Sequence, residues 1–203
     1  VKRYLFYFIG LFISAVGITG VIVAELGTGA WDSVFVGLTN KVGLSPGSWN
    51  IITGGLLMLF NASLAKKKPE FLSFLTVFIL GVFIDINLFL YSFIDIVTLP
   101  EKMLLFAISF VCMALGVGSY LQAKFPPTPI DSLMMVVHKR FNISMAFSRL
   151  ICEITALTTG LFLAGPVSYG TVVIVLAIGP CIQYAYRKMD VLYNRPKKEA
   201  AVV

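Results

Sequence analysis

Six side chains with polar chemistry stand in or beside long apolar runs: Asp32, Asp85, Asp131, Arg149, Glu153 and Gln183. An ionisable group at the bilayer centre costs about 3 kcal/mol on insertion scales, so each needs a partner or a task. Asp85 lies 14 residues past Phe71, about 21 Å along a helix and so near or just beyond mid-depth. Gln183 stands in the matching place later in the chain, because both follow a Gly-x-x-Ile step (Gly81 to Ile84, Gly179 to Ile182). That pattern predicts a polar cavity shared by two spans, or a buried carboxyl that binds helices together by hydrogen bonds. Arg149 and Glu153 are four residues apart and share a helix face. They make either an intrahelical ion pair or a clamp whose partners separate around a solute. Asp131 follows Thr128 and Pro129 in a capping-box pattern, with Thr128 as N-cap. Asp32 opens a similar segment, and a carboxylate in a first turn complements the helix dipole. Related by symmetry, the two aspartates are placed to recruit a cationic or polar ligand near the centre. All six are candidate substrate-binding residues.

No catalytic residue, metal ligand or cofactor is expected. His138 is the single histidine, and Cys112, Cys152 and Cys181 lie apart in apolar stretches. The chain has no His-Glu-x-x-His or Gly-x-Gly-Asp motif, and an enzyme is not expected.

The elements that position these groups follow from composition. Of 203 residues, 58% are hydrophobic and 13% charged, against about 25% charged in soluble domains. Mean hydropathy is +0.91. A soluble enzyme, a DNA-binding domain and a secreted disulfide scaffold are excluded, because so much apolar surface has no interior to hide in. Six runs are long enough to span a bilayer: Tyr4–Ala24, Trp49–Ala65, Phe71–Ile94, Met103–Leu121, Met145–Ala164 and Val167–Tyr186. They are continuous and do not alternate, which argues helices over a barrel. The opening Val1-Lys2-Arg3 and its apolar run read as a retained first span. The net charge of +6 sits in loops, so it reports topology and not a nucleic-acid partner. With a cytoplasmic N-terminus, Lys41 and Lys102 alone fall outside, and the other fourteen of the sixteen Lys and Arg residues fall inside. Both termini are then cytoplasmic.

The two halves read as copies offset by 99 residues. Asp32-Ser33 falls on Asp131-Ser132, and Trp31, Val34, Phe35, Leu38 and Val42 fall on Ile130, Leu133, Met134, Val137 and Phe141. Both sets keep the spacing of one helix face. Each copy is a span, a short helix and two spans: 1–98 with short helix 31–42, then 99–187 with short helix 130–141, followed by a basic cytoplasmic tail, 188–203. Three spans per copy make the second copy enter from the opposite side. The fold expected is therefore an all-α membrane protein with six transmembrane helices in a 3+3 inverted-topology repeat, an arrangement secondary transporters use.

The Gly27-Thr28-Gly29-Ala30-Trp31-Asp32 turn, the Gly43-Leu44-Ser45-Pro46-Gly47 approach, the Gly81-Val82-Phe83-Ile84-Asp85 segment and Gly179-Pro180 resemble the YczE/YyaS/YitT family of bacterial membrane proteins. The resemblance implies a bacterial cytoplasmic-membrane protein and assigns no site residue. From the residues, the expected function is transport of a small polar or charged solute across that membrane. The alternatives are a substrate-binding membrane subunit of an ATPase-driven uptake complex, and a membrane scaffold or regulatory protein. Expected partners are the lipid bilayer, a small-molecule solute, and a second copy or a partner membrane subunit. Nucleic acid is not expected.

Overall fold

The computed structural model describes residues 2–194, so the expected tail from Arg195 onward lies outside the described residues. The described residues form eight helices and no strand. They are α1 (Lys2–Ala24), α2 (Ala30–Val42), α3 (Pro46–Ala65), α4 (Phe71–Tyr91), α5 (Leu99–Gln122), α6 (Pro129–Phe141), α7 (Met145–Phe162) and α8 (Tyr169–Asn194). Five of them, α1, α4, α5, α7 and α8, are long and apolar enough to cross a membrane. α3 has the length, 20 residues. Asn50, Thr53, Asn61 and two serines dilute its apolar character, and it is not among the five. α2 and α6, with 13 residues each, reach only about 20 Å and cannot span.

α1 and α5 run antiparallel through the middle. Arg3, at the start of α1, donates from Nε to Ala123 O (2.7 Å) and from Nη2 to Lys124 O (3.0 Å), just past the end of α5. At the other end Glu25 pairs with Lys102 in the first turn of α5. Glycine lets the two backbones touch. A Cβ on Gly17 would sit 2.4 Å from the Met113 nitrogen, and one on Gly116 would sit 2.2 Å from the Ser14 nitrogen. In a membrane, where lipid competes equally for apolar side chains, such close approach is what holds helices together. α4 packs on α1 and α8 on α5, while α2 lies on α7 and α6 on α3.

α3 also packs closely on α4. A Cβ on Gly47 would fall 2.2 Å from Gly81 O, and one on Gly54 would fall 2.5 Å from Val77. Their counterparts in chain order, α7 and α8, scarcely touch. The Arg149 side chain lies across Gly179 between them, 2.9 Å from where a Cβ would be.

The two short helices are pinned where they begin. Gly27, at φ +111°, turns the chain out of α1 in a conformation L side chains rarely adopt. Thr28 N then donates to Pro166 O (3.1 Å) and Gly170 N to Leu26 O (2.9 Å), tying this turn to the α7–α8 connection. At α6 the Pro126, Pro127 and Pro129 carbonyls accept from Thr76, Ser73 and Asn61 side chains at 3.1, 2.6 and 2.8 Å. Prolines cannot donate a backbone bond, so side chains from α3 and α4 satisfy this irregular stretch. That satisfaction is the condition for non-helical backbone among membrane helices.

Candidate functional site

All eight helices line one central cavity of about 160 Å³. Its walls are mostly apolar, for example Ile18, Met113 and Ile178, and its polar groups converge from separate elements. α2 supplies Trp31 and Asp32, α3 Asn50, α5 Tyr120, α6 Asp131, and α7 Arg149 and Glu153. Four of the six sequence-predicted residues therefore meet here. Three carboxylates face one guanidinium.

Asp131 is already engaged. Its Oδ2 accepts from the Thr128 hydroxyl (2.9 Å) and from the Tyr120 hydroxyl (3.0 Å), and its backbone N donates to Thr128 Oγ1 (3.3 Å). Thr128 is thus the N-cap of α6, as the capping-box pattern predicts. Asp32 has no such partners. The residue before α2 is Gly29, which offers no side-chain cap, and Asp32 makes no hydrogen bond or ion pair among the described residues. In the 99-residue register Gly29 replaces Thr128 and Val21 replaces Tyr120, so both hydroxyls are missing. α2 is too short to span, and protein packed around its first turn desolvates Asp32. That desolvation pushes the carboxyl up to about 7, with a smaller push from the Glu153 charge.

Two further polar groups in the cavity lack partners. Trp31 Nε1 is buried with no acceptor. Asn50 is 2% exposed, and its side chain makes no hydrogen bond among the described residues. A buried donor without a partner is rare and costly, and in the same cavity Asp32 and Asn50 add a carboxylate and an amide that no side chain among the described residues engages. Arg149 Nε and Glu153 Oε1 stand 3.8 Å apart, an ion pair too long for a hydrogen bond. Among the described residues no three His, Cys, Asp or Glu side chains cluster to hold a metal ion.

Asp85 and Gln183 do not line this cavity. Asp85 turns away from lipid onto the start of α3, where it accepts from Ser45 Oγ (2.5 Å) and Gly47 N (2.9 Å). Gln183 is exposed on α8. The expectation of a shared polar cavity fails because Asp85 finds two groups at the start of α3, the Ser45 hydroxyl and the Gly47 amide, within reach. Gln183 has no α7 surface pressed against it. Reasoning from sequence also missed Trp31, Asn50 and Tyr120 as cavity groups. Trp31 was signalled by standing next to Asp32, and Asn50 by sharing the repeat register with Arg149, whereas nothing in the pattern of α5 marks Tyr120. Glu25 pairs with Lys102 while staying largely exposed.

Comparison with known proteins follows the same lines. A model of a family of unknown function, DUF6198, matches residues 1–187. The protein YyaS of Bacillus subtilis (strain 168) is 37% identical over 174 residues, covering 85% of this chain and 87% of its own. The membrane protein YczE of the same organism is 30% identical over 195 residues, covering 96% and 90%. A Haemophilus influenzae protein is 23% identical over 164 residues, covering 81% and 74%. No solved structure matches. Matched along nearly its whole described length, with five helices long and apolar enough to cross a membrane and a relative named as a membrane protein, the chain is a multi-pass membrane protein that belongs to the DUF6198 family.

Proposed function

We propose that this protein is a carrier that binds a small organic cation in the central cavity and moves it across the bacterial cytoplasmic membrane. The observation that carries the cation is Asp32: an unpaired carboxylate, in a cavity where carboxylates outnumber the one guanidinium. A cation relieves that excess, and the indole of Trp31 and the ring of Tyr120 suit an ammonium group. The Trp31 N–H asks for an acceptor on the same ligand, such as a hydroxyl. A cavity of about 160 Å³ is comparable to an engineered one of about 150 Å³ that holds benzene, so the solute has at most about eight heavy atoms.

The carrier reading adds the inverted repeat and α3 as a sixth span. Helix lengths run long, short, long, long in both halves. α1 and α5 are antiparallel, as inverted copies require, and their contacts exchange. Moving Gly17 forward by 99 gives Gly116, and moving its partner Met113 back by 99 gives Ser14, the partner of Gly116. The α2–α7 and α6–α3 contacts exchange in the same way. Symmetry then breaks at one place: α3 is packed on α4, and α7 is apart from α8. The loop charges put the Arg3 end in the cytoplasm. In this arrangement the outer end is closed by Asp85 clasped to Ser45 and Gly47, and the cavity leads toward the α7–α8 gap. Exchanging the packed pair carries the site to the other side, as inverted repeats do around a midplane site.

Trp31 reports binding directly. The chain has two tryptophans, and a Trp49→Phe variant leaves only the one in the cavity. Choline, ethanolamine and guanidinium are each titrated into that variant, with acetate as the anionic control. Saturable change in Trp31 emission with at least one cation, absent with acetate and lost in Asp32→Asn, is expected. A response to acetate equal to that of the cations removes the proposal.

A further inference from the structure

At the end of the bundle marked by Arg3, a second and larger open cavity of about 410 Å³ lies between the end of α3, the 66–70 turn, α4 and α6. Lys66, Lys67, Lys68, Lys139 and Arg140 rim it, and Glu70 is the one carboxylate among its lining residues. None of these five cations makes an ion pair among the described residues. Unpaired like charges held together favour an anion between them. The second observation is Asn61, which is 7% exposed and lines the same cavity. Its Nδ2 donates to Pro129 O (2.8 Å), while its Oδ1 is buried with no hydrogen-bond partner.

The two observations set different demands. A bare phosphate satisfies the lysines but would place oxygen against the Asn61 oxygen, so the ligand must also carry a donor. Five cations against one carboxylate select a net anion over a zwitterion, which makes that donor a hydroxyl and not an ammonium. Asn61 lies five residues before Lys66, about 7.5 Å along the helix, a spacing that a phosphate and a hydroxyl on a three-carbon polyol approach. We propose that this cavity binds a polyol phosphate, with its phosphate on the lysine and arginine rim and a hydroxyl donated to Asn61 Oδ1. Such a group arrives as the headgroup of an anionic glycerophospholipid, with Leu64 and Met135 along the acyl chains, or as the free polyol phosphate.

Purified full-length protein is offered four probes, and retained ligand is counted by native mass spectrometry. The probes are phosphatidylglycerol, phosphatidylmethanol (the same charge without the hydroxyl), phosphatidylcholine and glycerol 3-phosphate. Expected is at least tenfold preference for phosphatidylglycerol over both other lipids, lost in a Lys67→Glu/Arg140→Glu double variant whose two sites are exposed and unpaired. Asn61→Ala is expected to remove the preference over phosphatidylmethanol while leaving the preference over phosphatidylcholine. Retention of glycerol 3-phosphate that the double variant loses, with no lipid preference, identifies the free compound as the source and upholds the site. Equal retention of phosphatidylglycerol and phosphatidylmethanol overturns the hydroxyl assignment. Equal retention of all three lipids with no retention of glycerol 3-phosphate overturns the site altogether.

Discussion

Asp131 commits one of its two carboxylate oxygens to the Thr128 and Tyr120 hydroxyls and so has less to offer a ligand than Asp32. Asp32 keeps its full accepting capacity. Its charge also responds near neutral pH, because burial lifts its carboxyl to about 7. Above that value Asp32 is ionised and attracts a cation, and below it the attraction fades. Choline or ethanolamine affinity, read from Trp31 emission, is expected to rise severalfold from pH 6 to pH 8, and Asp32→Asn is expected to flatten the profile. The same shift has a stability consequence. A carboxyl raised in the folded state contributes stability at low pH that is lost as pH rises through its folded value. Ligand-free protein is therefore expected to melt lower at pH 8 than at pH 6, in a comparison that Asp32→Asn narrows. At Asp131 the expectation is structural. Thr128→Ala removes a cap worth about 1 kcal/mol and is expected to lower thermal stability with little effect on cation affinity. An affinity loss as large as that of Asp32→Asn would show that Asp131 holds the ligand instead.

Among the elements, the proposed carrier depends on α3 and α4, which small residues and Asp85 hold together. Asp85 joins them by accepting from Ser45 and Gly47. Asp85→Ala leaves a hydroxyl and an amide without their acceptor and is expected to loosen α3 from α4. A cysteine at Asn50, in a chain whose Cys112, Cys152 and Cys181 are serine, reads this out. An impermeant reagent on the side away from Arg3 is expected to label it at least tenfold faster once Asp85 is alanine. An unchanged rate would mean that Asp85 is helix glue and not a clasp. The α1–α5 contact admits no such freedom, since a Cβ on Gly116 would meet Ser14 N at 2.2 Å. Gly116→Leu is accordingly expected to abolish folded protein, measured as loss of a monodisperse peak on size-exclusion chromatography. Most of these elements were legible in the sequence. Apolar run length located α1, α4, α5, α7 and α8, and the face spacing after Asp32 and Asp131 located α2 and α6 to within a residue. α8 runs on to Asn194, past the expected Tyr186, because polar residues at a membrane surface end a span without ending a helix. The partner of Asp85 was not legible. It comes from a residue 40 positions earlier, and sequence spacing carries no information about which helix end a buried carboxylate will meet.

At the scale of the whole molecule, the proposed carrier combines a cation site with an inverted bundle in which α3 packs on α4 and α7 stands apart from α8. The 99-residue register on which the proposed repeat rests was readable because Asp-Ser and the apolar faces recur along it. The break in its symmetry was not, since it depends on how Gly47 and Gly54 seat against α4 while Ala146 and Glu153 stand in their places on α7. Solute counterflow in proteoliposomes tests the joined claim most directly. Vesicles are loaded with excess unlabelled choline, ethanolamine or guanidinium, and a trace of the same labelled cation is added outside. A carrier with a saturable central site exchanges one for the other, so the label is expected to accumulate transiently above its outside concentration for at least one cation. The overshoot is expected to vanish in Asp32→Asn vesicles that contain equal amounts of folded protein. Labelled cation that only equilibrates, without overshoot for any of the three, would contradict a carrier of small organic cations.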